Sequence, residues 1–369
     1  MEAQIATVVV GASAAGLATS ACLTRAKVEH VLLEATDGVG AAWRGHYDRL
    51  HLHTHKGGSA LPFVDFPRDT PRYPSRDEVV EYLERYVERL GLSPRFGEPA
   101  TAVLADGEGW IVETPGARYR ARNVVVATGL TRVPHLPEWP GRAAYRGELQ
   151  HSSAYRNGER WRGRRVLVIG FGNSAGEIAL DLAEHGATPT LSVRGAVNVI
   201  AREVLGVPVL GLGALLRPFP PRFADALSAP LVRATVGDIT HVGLRKLPYG
   251  PMEQIHAHGT VPLIDIGTIA AIRDGRVLLR RGVEHFTETG ARFDDGVKEP
   301  FDAVVAATGY RPRLADFLRD ADAICGPGGP PSGVAVRPGL YFCGFQVSPR
   351  GMLRQLGLDA RRIARAIRG

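Results

Sequence analysis

The sequence predicts an α/β protein with two Rossmann-like βαβ units, the second inserted into the chain that forms the first. Three observations carry this. Glycine-rich loops stand at Gly11–Gly16 and at Gly170–Glu177, each between an apolar β-rich run and a helical stretch. Each unit then closes on a second strand that ends in a charged residue, Glu34 in the first and Arg194 in the second. The tripeptide Ala-Thr-Gly follows a β-rich run twice, at 127–129 and 307–309, which reads as two crossings of the chain between domains.

The chain of 369 residues has room for about two domains, and 44% hydrophobic with 22% charged residues is ordinary globular composition. A net charge of +7 invites a polyanion partner. The cations are almost all arginine, however, with only Lys27, Lys56, Lys246 and Lys298 as lysines. The densest groups, Arg162–Arg165 and Arg361–Arg362, carry no interleaved aromatics. A solvated Arg-rich surface is expected, and no nucleic-acid partner. Cys22, Cys325 and Cys343 are far apart and form no CxxC, which argues against a disulfide framework, a zinc site and a redox dithiol. The expected compartment is reducing and cytoplasmic. No signal peptide is expected, and the longest apolar run, Val204–Leu216, is too short and too broken by Gly and Pro to span a bilayer. The oligomeric state is not legible.

Ile5–Val10 enters Gly11-Ala12-Ser13-Ala14-Ala15-Gly16, a helix runs to about Lys27, and the strand His30–Leu33 ends in Glu34. Strand, glycine loop, helix, strand and acid in this order form a dinucleotide fingerprint. Gly11 makes the tight turn, Gly16 lets helix and strand pack closely, and the helix N-terminus faces a pyrophosphate. Glu34 accepts from ribose hydroxyls and its charge disfavours a 2′-phosphate. Ser13 stands where the fingerprint has its second glycine and adds a side chain where phosphate approaches.

His46, His51, His53 and His55 raise the question of a metal. Alternation places the last three on one face of an extended strand, but no carboxylate or cysteine recurs nearby. A polar loop lining a cofactor is expected, and no metal. Ser75–Glu78 is a capping box opening a helix to about Leu90. Trp110–Glu113 and Tyr119–Val126 are read as a small antiparallel layer, and Pro134, Pro137 and Pro140 as a hinge.

In the second unit the strand Arg165–Ile169 enters Gly170-Phe171-Gly172-Asn173-Ser174, a helix runs from Asn173 to His185, and Thr190–Val193 ends at Arg194. An arginine where the first unit has an acid pairs with a 2′-phosphate, so the second unit favours NADP. Ala196–Gly237 reads equally as a substrate-facing insertion or as helices that cover the domain. Strands are expected at Val277–Leu279, Phe301–Val305 and Leu340–Phe345, with an amphipathic closing helix at Arg354–Arg368. The expected division is a first domain of 1–157 and 300–369, a second of 158–299, and the insertion at 196–237.

Tyr145, Gly147, His151 and Tyr155 match the pattern Phe-x-Gly-x-x-x-His-x-x-x-Tyr/Phe/Trp, with Tyr for the first Phe. The chain thereby resembles the flavin-containing monooxygenases, class B flavoproteins with separate FAD and NADPH domains of the three-layer ββα type. The likeness covers nearly the whole chain. It is closest to the YUCCA-type branch, through Gly172-Asn173-Ser174, Glu177 with Leu180-Asp181-Leu182, and Pro262–Thr268. It implies that Gly11, Gly16, Glu34 and Trp43 hold FAD, and that Ser13, Arg44, His53, Thr128, Gly129 and Gly344 are further cofactor-binding residues, with Ser13 departing from the family's usual glycine. It implies NADPH contacts from Gly170, Gly172, Asn173, Ser174 and Arg194, with Thr308 and Gly309 in the second crossing turn.

His53 falls where many members have an Asn near the flavin. His53, His151 and Tyr155 are the catalytic candidates, with His151 and Tyr155 read rather as organising the domain junction and NADP⁺. The implied chemistry is reduction of FAD by NADPH, a flavin C4a-hydroperoxide formed with O₂, and transfer of one oxygen atom to a small substrate. That substrate is a 2-oxo acid such as indole-3-pyruvate or a soft nitrogen or sulfur nucleophile. The rivals are a flavin disulfide reductase and a redox-sensing nucleotide-binding protein.

Overall fold

In a computed structural model that describes residues 2–209, 216, 218–326, 329–348 and 351–369, β1 (Glu2–Val10) lies inside the first sheet. Its second half, Thr7-Val8-Val9-Val10, is buried on both faces, as a central parallel strand must be. There follow α1 (Ala14–Arg25), β2 (His30–Leu33), α2 (Ala41–Arg44), α3 (Arg76–Leu90), β3 (Pro94–Arg95), β4 (Ala102–Asp106), β5 (Gly109–Glu113) and β6 (Arg118–Val126). The sheet has eight strands, and its main path runs Ala335–Arg337, Leu340–Phe342, β6, β1, β2, β3.

The expected antiparallel layer is real, but β6 does more than complete it. Its first half alternates buried and exposed residues and pairs antiparallel with β5. Its second half, Val124-Val125-Val126, is buried throughout and lies parallel to β1. One nine-residue strand therefore serves both the hairpin layer and the nucleotide-binding layer. The capping box of α3 forms as expected. Ser75 Oγ accepts from the Glu78 amide at 3.3 Å and Glu78 Oε2 from the Ser75 amide at 2.7 Å. The closing helix, Met352–Arg368, starts two residues before the expected Arg354 and packs its Leu353, Leu356, Ala360 and Ile363 face inward.

These elements form one unit, Met1–Gly45, Thr54–Val133 and Tyr310–Gly369, and the other is His46–His53 with Pro134–Gly309. In the second unit five parallel strands run in the order Leu278–Arg280, Thr188–Ser192, Arg165–Ile169, Ala303–Ala306, Glu148–His151. Ala303–Ala306 and Glu148–His151 belong to this sheet, although they fall in the first domain of the expected division. Both are drawn in by backbone pairing, Ala303–Ala306 to Arg165–Ile169 and Glu148–His151 to Ala303–Ala306 in turn. α4 (Asn173–Glu184) connects Arg165–Ile169 to Thr188–Ser192.

The excursion His46–His53 is the feature the sequence hid. Tyr47 is buried in the core of the second unit beside Tyr155, Ile178 and Leu182. The Asp48 amide donates to the Arg156 carbonyl at 2.9 Å, and Arg49 pairs with Glu184 of α4. The alternation of His51, His53 and His55 does not bring them to one face, and each meets a different partner. His51 Nδ1 turns back to its neighbour's Arg49 carbonyl, His53 meets Glu177, and His55 caps the amide of Gly57 in the first unit.

Within 196–237, Val199–Ala201 pairs in parallel with Leu263–Asp265, Glu203–Val204 forms a hairpin with Val207–Pro208, and Pro221–Val236 is helical. Residues 210–215 and 217 of the expected insertion lie outside the described residues.

Candidate cofactor sites

The first loop is shaped by backbone that only glycine fits. Gly11 holds φ +100°, and a Cβ on Gly16 would stand 1.7 Å from the Gly11 carbonyl oxygen. Ser13 turns out to sit without conflict. It is the N-cap of α1 at φ −85°, ψ −169°, and its hydroxyl makes no capping bond, so it does not plug the helix N-terminus. Gly172, the corresponding residue of the second loop, caps α4 at φ −88°, ψ −179°. The same extended conformation suits serine and glycine alike.

Both loops close against an Ala-Thr-Gly turn in the same way. Gly11 N donates to Leu33 O at 2.8 Å and the Ala127 amide to Val10 O at 2.8 Å. Gly170 N donates to Ser192 O at 3.0 Å and the Ala307 amide to Ile169 O at 2.9 Å. Gly170 holds φ +128°, and a Cβ there would lie 2.4 Å from the Ala307 oxygen. The echo in sequence is thus an echo in hydrogen bonding.

Glu34 is held ready at the end of β2. Its Oε2 accepts from the Ala12 amide at 2.7 Å, and its Oε1 from the Thr36 amide at 3.0 Å and the Thr36 hydroxyl at 2.9 Å. A carboxylate offers about four lone-pair directions, so Oε2 keeps room for a ribose hydroxyl. Thr128 Oγ1 is buried and has no hydrogen-bond partner among the described residues, whereas Thr308 Oγ1 donates to the His135 carbonyl at 2.5 Å. The orphaned hydroxyl beside Gly11, the uncapped N-terminus of α1 and the poised Glu34 fit a dinucleotide. Gly344 belongs to the same surround, since a Cβ on it would lie 3.3 Å from that of Ala15. Trp43 and Arg44 sit apart on α2, where Arg44 pairs with Glu84 of α3.

The aromatic-glycine-histidine-aromatic stretch staples the second unit together. Tyr145 donates to the Phe301 carbonyl at 2.9 Å, and its ring leaves no room for a side chain on Gly147. His151 Nδ1 accepts from the Ser153 amide at 3.1 Å, so Nε2 carries the proton and donates to Gly309 O at 2.9 Å. Tyr155 donates to Asp181 Oδ2 at 2.6 Å inside the core. Burial and that carboxylate push the Tyr155 phenol far above its ordinary value. Tyr145, His151 and Tyr155 thus hold different parts of the unit: the segment just before the strand Ala303–Ala306, the turn after it, and α4.

His53, the third catalytic candidate, has Nε2 3.0 Å from Glu177 Oε1. The angle is not that of a hydrogen bond, and neither Glu177 Oε1 nor His53 Nδ1 has a hydrogen-bond partner among the described residues. Asn173 Oδ1 accepts from the Ile264 amide at 2.8 Å, which ties the second loop to the strand Leu263–Asp265. Ser174 follows it in the first turn of α4, and Arg194 is exposed past the strand Thr188–Ser192. Glu177 and Asp181 were missed as partners. The signal was present: two acids four apart on a helix otherwise buried over Ala175–Leu182.

Burial lowers the His151 imidazole below its ordinary 6.5, only partly offset by the Gly309 carbonyl. On acidification the unfolded chain then takes the proton before the folded one. Stability from this residue is complete above about pH 6.5 and is lost as pH falls toward the lower folded value. Between about pH 7.5 and 5.5, thermal midpoints should fall less in His151→Gln than in the unsubstituted protein. Equal falls would show that His151 does not contribute.

Two α/β units, each built around parallel strands that open on a glycine loop and a helix N-terminus, define a protein with two dinucleotide-type sites. The family model for pyridine nucleotide-disulphide oxidoreductases matches residues 8–203. The probable indole-3-pyruvate monooxygenase YUCCA1 of Arabidopsis thaliana is 38% identical over 94% of this chain and 86% of its own length. A flavin-containing monooxygenase structure from Stenotrophomonas maltophilia superposes with a TM-score of 0.74 at 24% identity, over 99% of this chain and 98% of that one. Bacillithiol disulfide reductase from Bacillus cereus shares the fold at TM-score 0.69 and 18% identity, covering 99% of each chain.

The chain belongs to the pyridine nucleotide-disulphide oxidoreductase family and, within it, to the YUCCA-type flavin monooxygenases. It is a flavoprotein monooxygenase that uses FAD and NADPH. Cys22, Cys325 and Cys343 are free thiols, and burial pushes those of Cys22 and Cys343 up to about 11 and about 12. No helix among the described residues is long and apolar enough to cross a membrane.

Proposed function

We propose that the first unit holds FAD, the second NADPH, and that the enzyme oxygenates a 2-oxo acid of the indole-3-pyruvate type. The observation that carries the cofactor assignment is the opposite charge at the two strand ends, Glu34 against Arg194, behind loops with matching backbone bonds. The α1 N-terminus offers its unbonded amides to the FAD pyrophosphate, and Glu34 accepts from the ribose. Thr128 supplies the donor its buried hydroxyl has to spare. In the second unit the α4 N-terminus takes the NADPH pyrophosphate and Arg194 the 2′-phosphate.

When bound, NADPH supplies a hydride and reduced FAD activates O₂ for transfer of one oxygen atom to the substrate. His151 and Tyr155 keep the second unit's turn and helix in place without exchanging protons with the substrate. Identity of 36–38% to named indole-3-pyruvate monooxygenases supports the 2-oxo acid. A panel of 2-oxo acids, amines and thioethers, scored by oxygenated product, tests it. Product from amines or thioethers but not from 2-oxo acids would sink the substrate assignment.

Arg194→Ala is expected to raise the Michaelis constant for NADPH by roughly 10- to 100-fold and that for NADH less than about twofold. Equal changes for both would refute a 2′-phosphate role for Arg194.

A further inference from the structure

Past the strand Thr188–Ser192, the second unit carries a cleft of about 230 Å³ whose lining includes Val193, Leu244, Arg245, Leu279, Arg280 and Arg281. The lining is strongly cationic, with Asp295 its one acid. Arg280 is neutralised by Glu299. Among the described residues, no carboxylate forms an ion pair with Arg194, Arg245 or Arg281. Arg245 and Arg281 line the cleft and Arg194 stands between its lining residues Val193 and Gly195, so three arginines without a carboxylate ion partner lie on neighbouring segments, a pattern suited to an anion.

The backbone brings these three segments together. Ser192 Oγ donates to the Arg281 carbonyl at 2.8 Å and Val193 N to the Arg280 carbonyl at 2.9 Å. Val197 N donates to the Arg245 carbonyl at 2.8 Å and Leu247 N to Val197 O at 3.2 Å. The Arg245 guanidinium itself donates to the Arg194 carbonyl. Gly282 leaves space for Arg194, whose Cγ would lie 3.1 Å from a Cβ at that position. Arg245 stands about fifty residues beyond the βαβ fingerprint, so no strand-end rule identifies it.

We propose that Arg245 and Arg281 join Arg194 in reading the 2′-phosphate of NADPH, so that nucleotide selectivity rests on three segments and not on Arg194 alone. This deepens the assignment of NADPH to the second unit and rests on it. One spare guanidinium nitrogen of Arg245 fixes the Arg194 main chain, and the others remain for phosphate oxygens. Arg281 brings a further guanidinium from the adjacent strand end.

Calorimetric titration of the FAD-loaded protein with 2′,5′-ADP and with 5′-AMP tests this without turnover. Arg245→Ala and Arg281→Ala should each weaken 2′,5′-ADP on the order of 10- to 100-fold and leave 5′-AMP within about twofold. Arg245→Lys should recover part of the loss, because a point charge replaces a fork. Unchanged 2′,5′-ADP binding in both alanine variants, or equal weakening of both nucleotides, overturns the proposal. In that case a preference of the unsubstituted protein for 2′,5′-ADP would leave the NADPH assignment standing. No such preference in the unsubstituted protein overturns the assignment and the proposal together.

Discussion

Gly16→Ala is expected to give a protein that retains no FAD and accumulates mainly as insoluble material. The added methyl would stand 1.7 Å from the Gly11 carbonyl oxygen, which is main chain and cannot rotate away. Ordinary overpacking costs about 1–3 kcal/mol, and that range assumes neighbours that can give. Here relief requires separating α1 from the loop that ends β1. Gly172→Ser is the matched control. Nothing lies within 4 Å of a Cβ at Gly172, and Ser13 already occupies the same conformation in the first loop. That variant should fold and keep NADPH turnover within a few-fold. Flavin content by absorbance and a thermal melt read both results. A soluble, yellow Gly16→Ala protein with normal stability would refute the close-packing argument.

Tyr155→Phe is expected to cost about 1.5–3 kcal/mol of stability, the size of a hydrogen bond to a buried charge, while turnover per folded molecule holds. The phenol donates to Asp181, which is 5% exposed, and without it the carboxylate loses its 2.6 Å donor. His185 stands 3.5 Å from the other carboxylate oxygen and compensates only in part. Denaturant unfolding and kcat, measured on the same preparation, separate the two roles open to this residue. A large fall in kcat with unchanged stability would return Tyr155 to the catalytic candidates. Asp181→Asn keeps the shape and removes the charge. It should lie between Tyr155→Phe and the parent if charge dominates the pair.

Much of the fold was legible. β1, β2, the helix after each loop and the closing helix follow from apolar runs, glycine punctuation and period, since these elements are set by local sequence. Less of the site was. The charge at each strand end is legible because a fingerprint fixes its position along the chain. Glu177, Asp181, Arg245 and Arg281 were not, because their partners come from distant segments. Alternation among the histidines is uninformative for a related reason. Alternation assumes one continuous strand, and His53 and His55 fall in different units.

The sequence by itself determined the class of protein: two glycine loops, opposite strand-end charges and the Tyr145–Tyr155 pattern are local and additive signals. Only the tertiary structure decided what the members of that pattern bond to. Tyr145, His151 and Tyr155 each spend their polar atoms on a different element of the second unit, the Phe301 carbonyl, the Gly309 carbonyl and Asp181. A hydroxyl or ring nitrogen looks reactive in a sequence until its partner is known, and partners are chosen by packing across the chain.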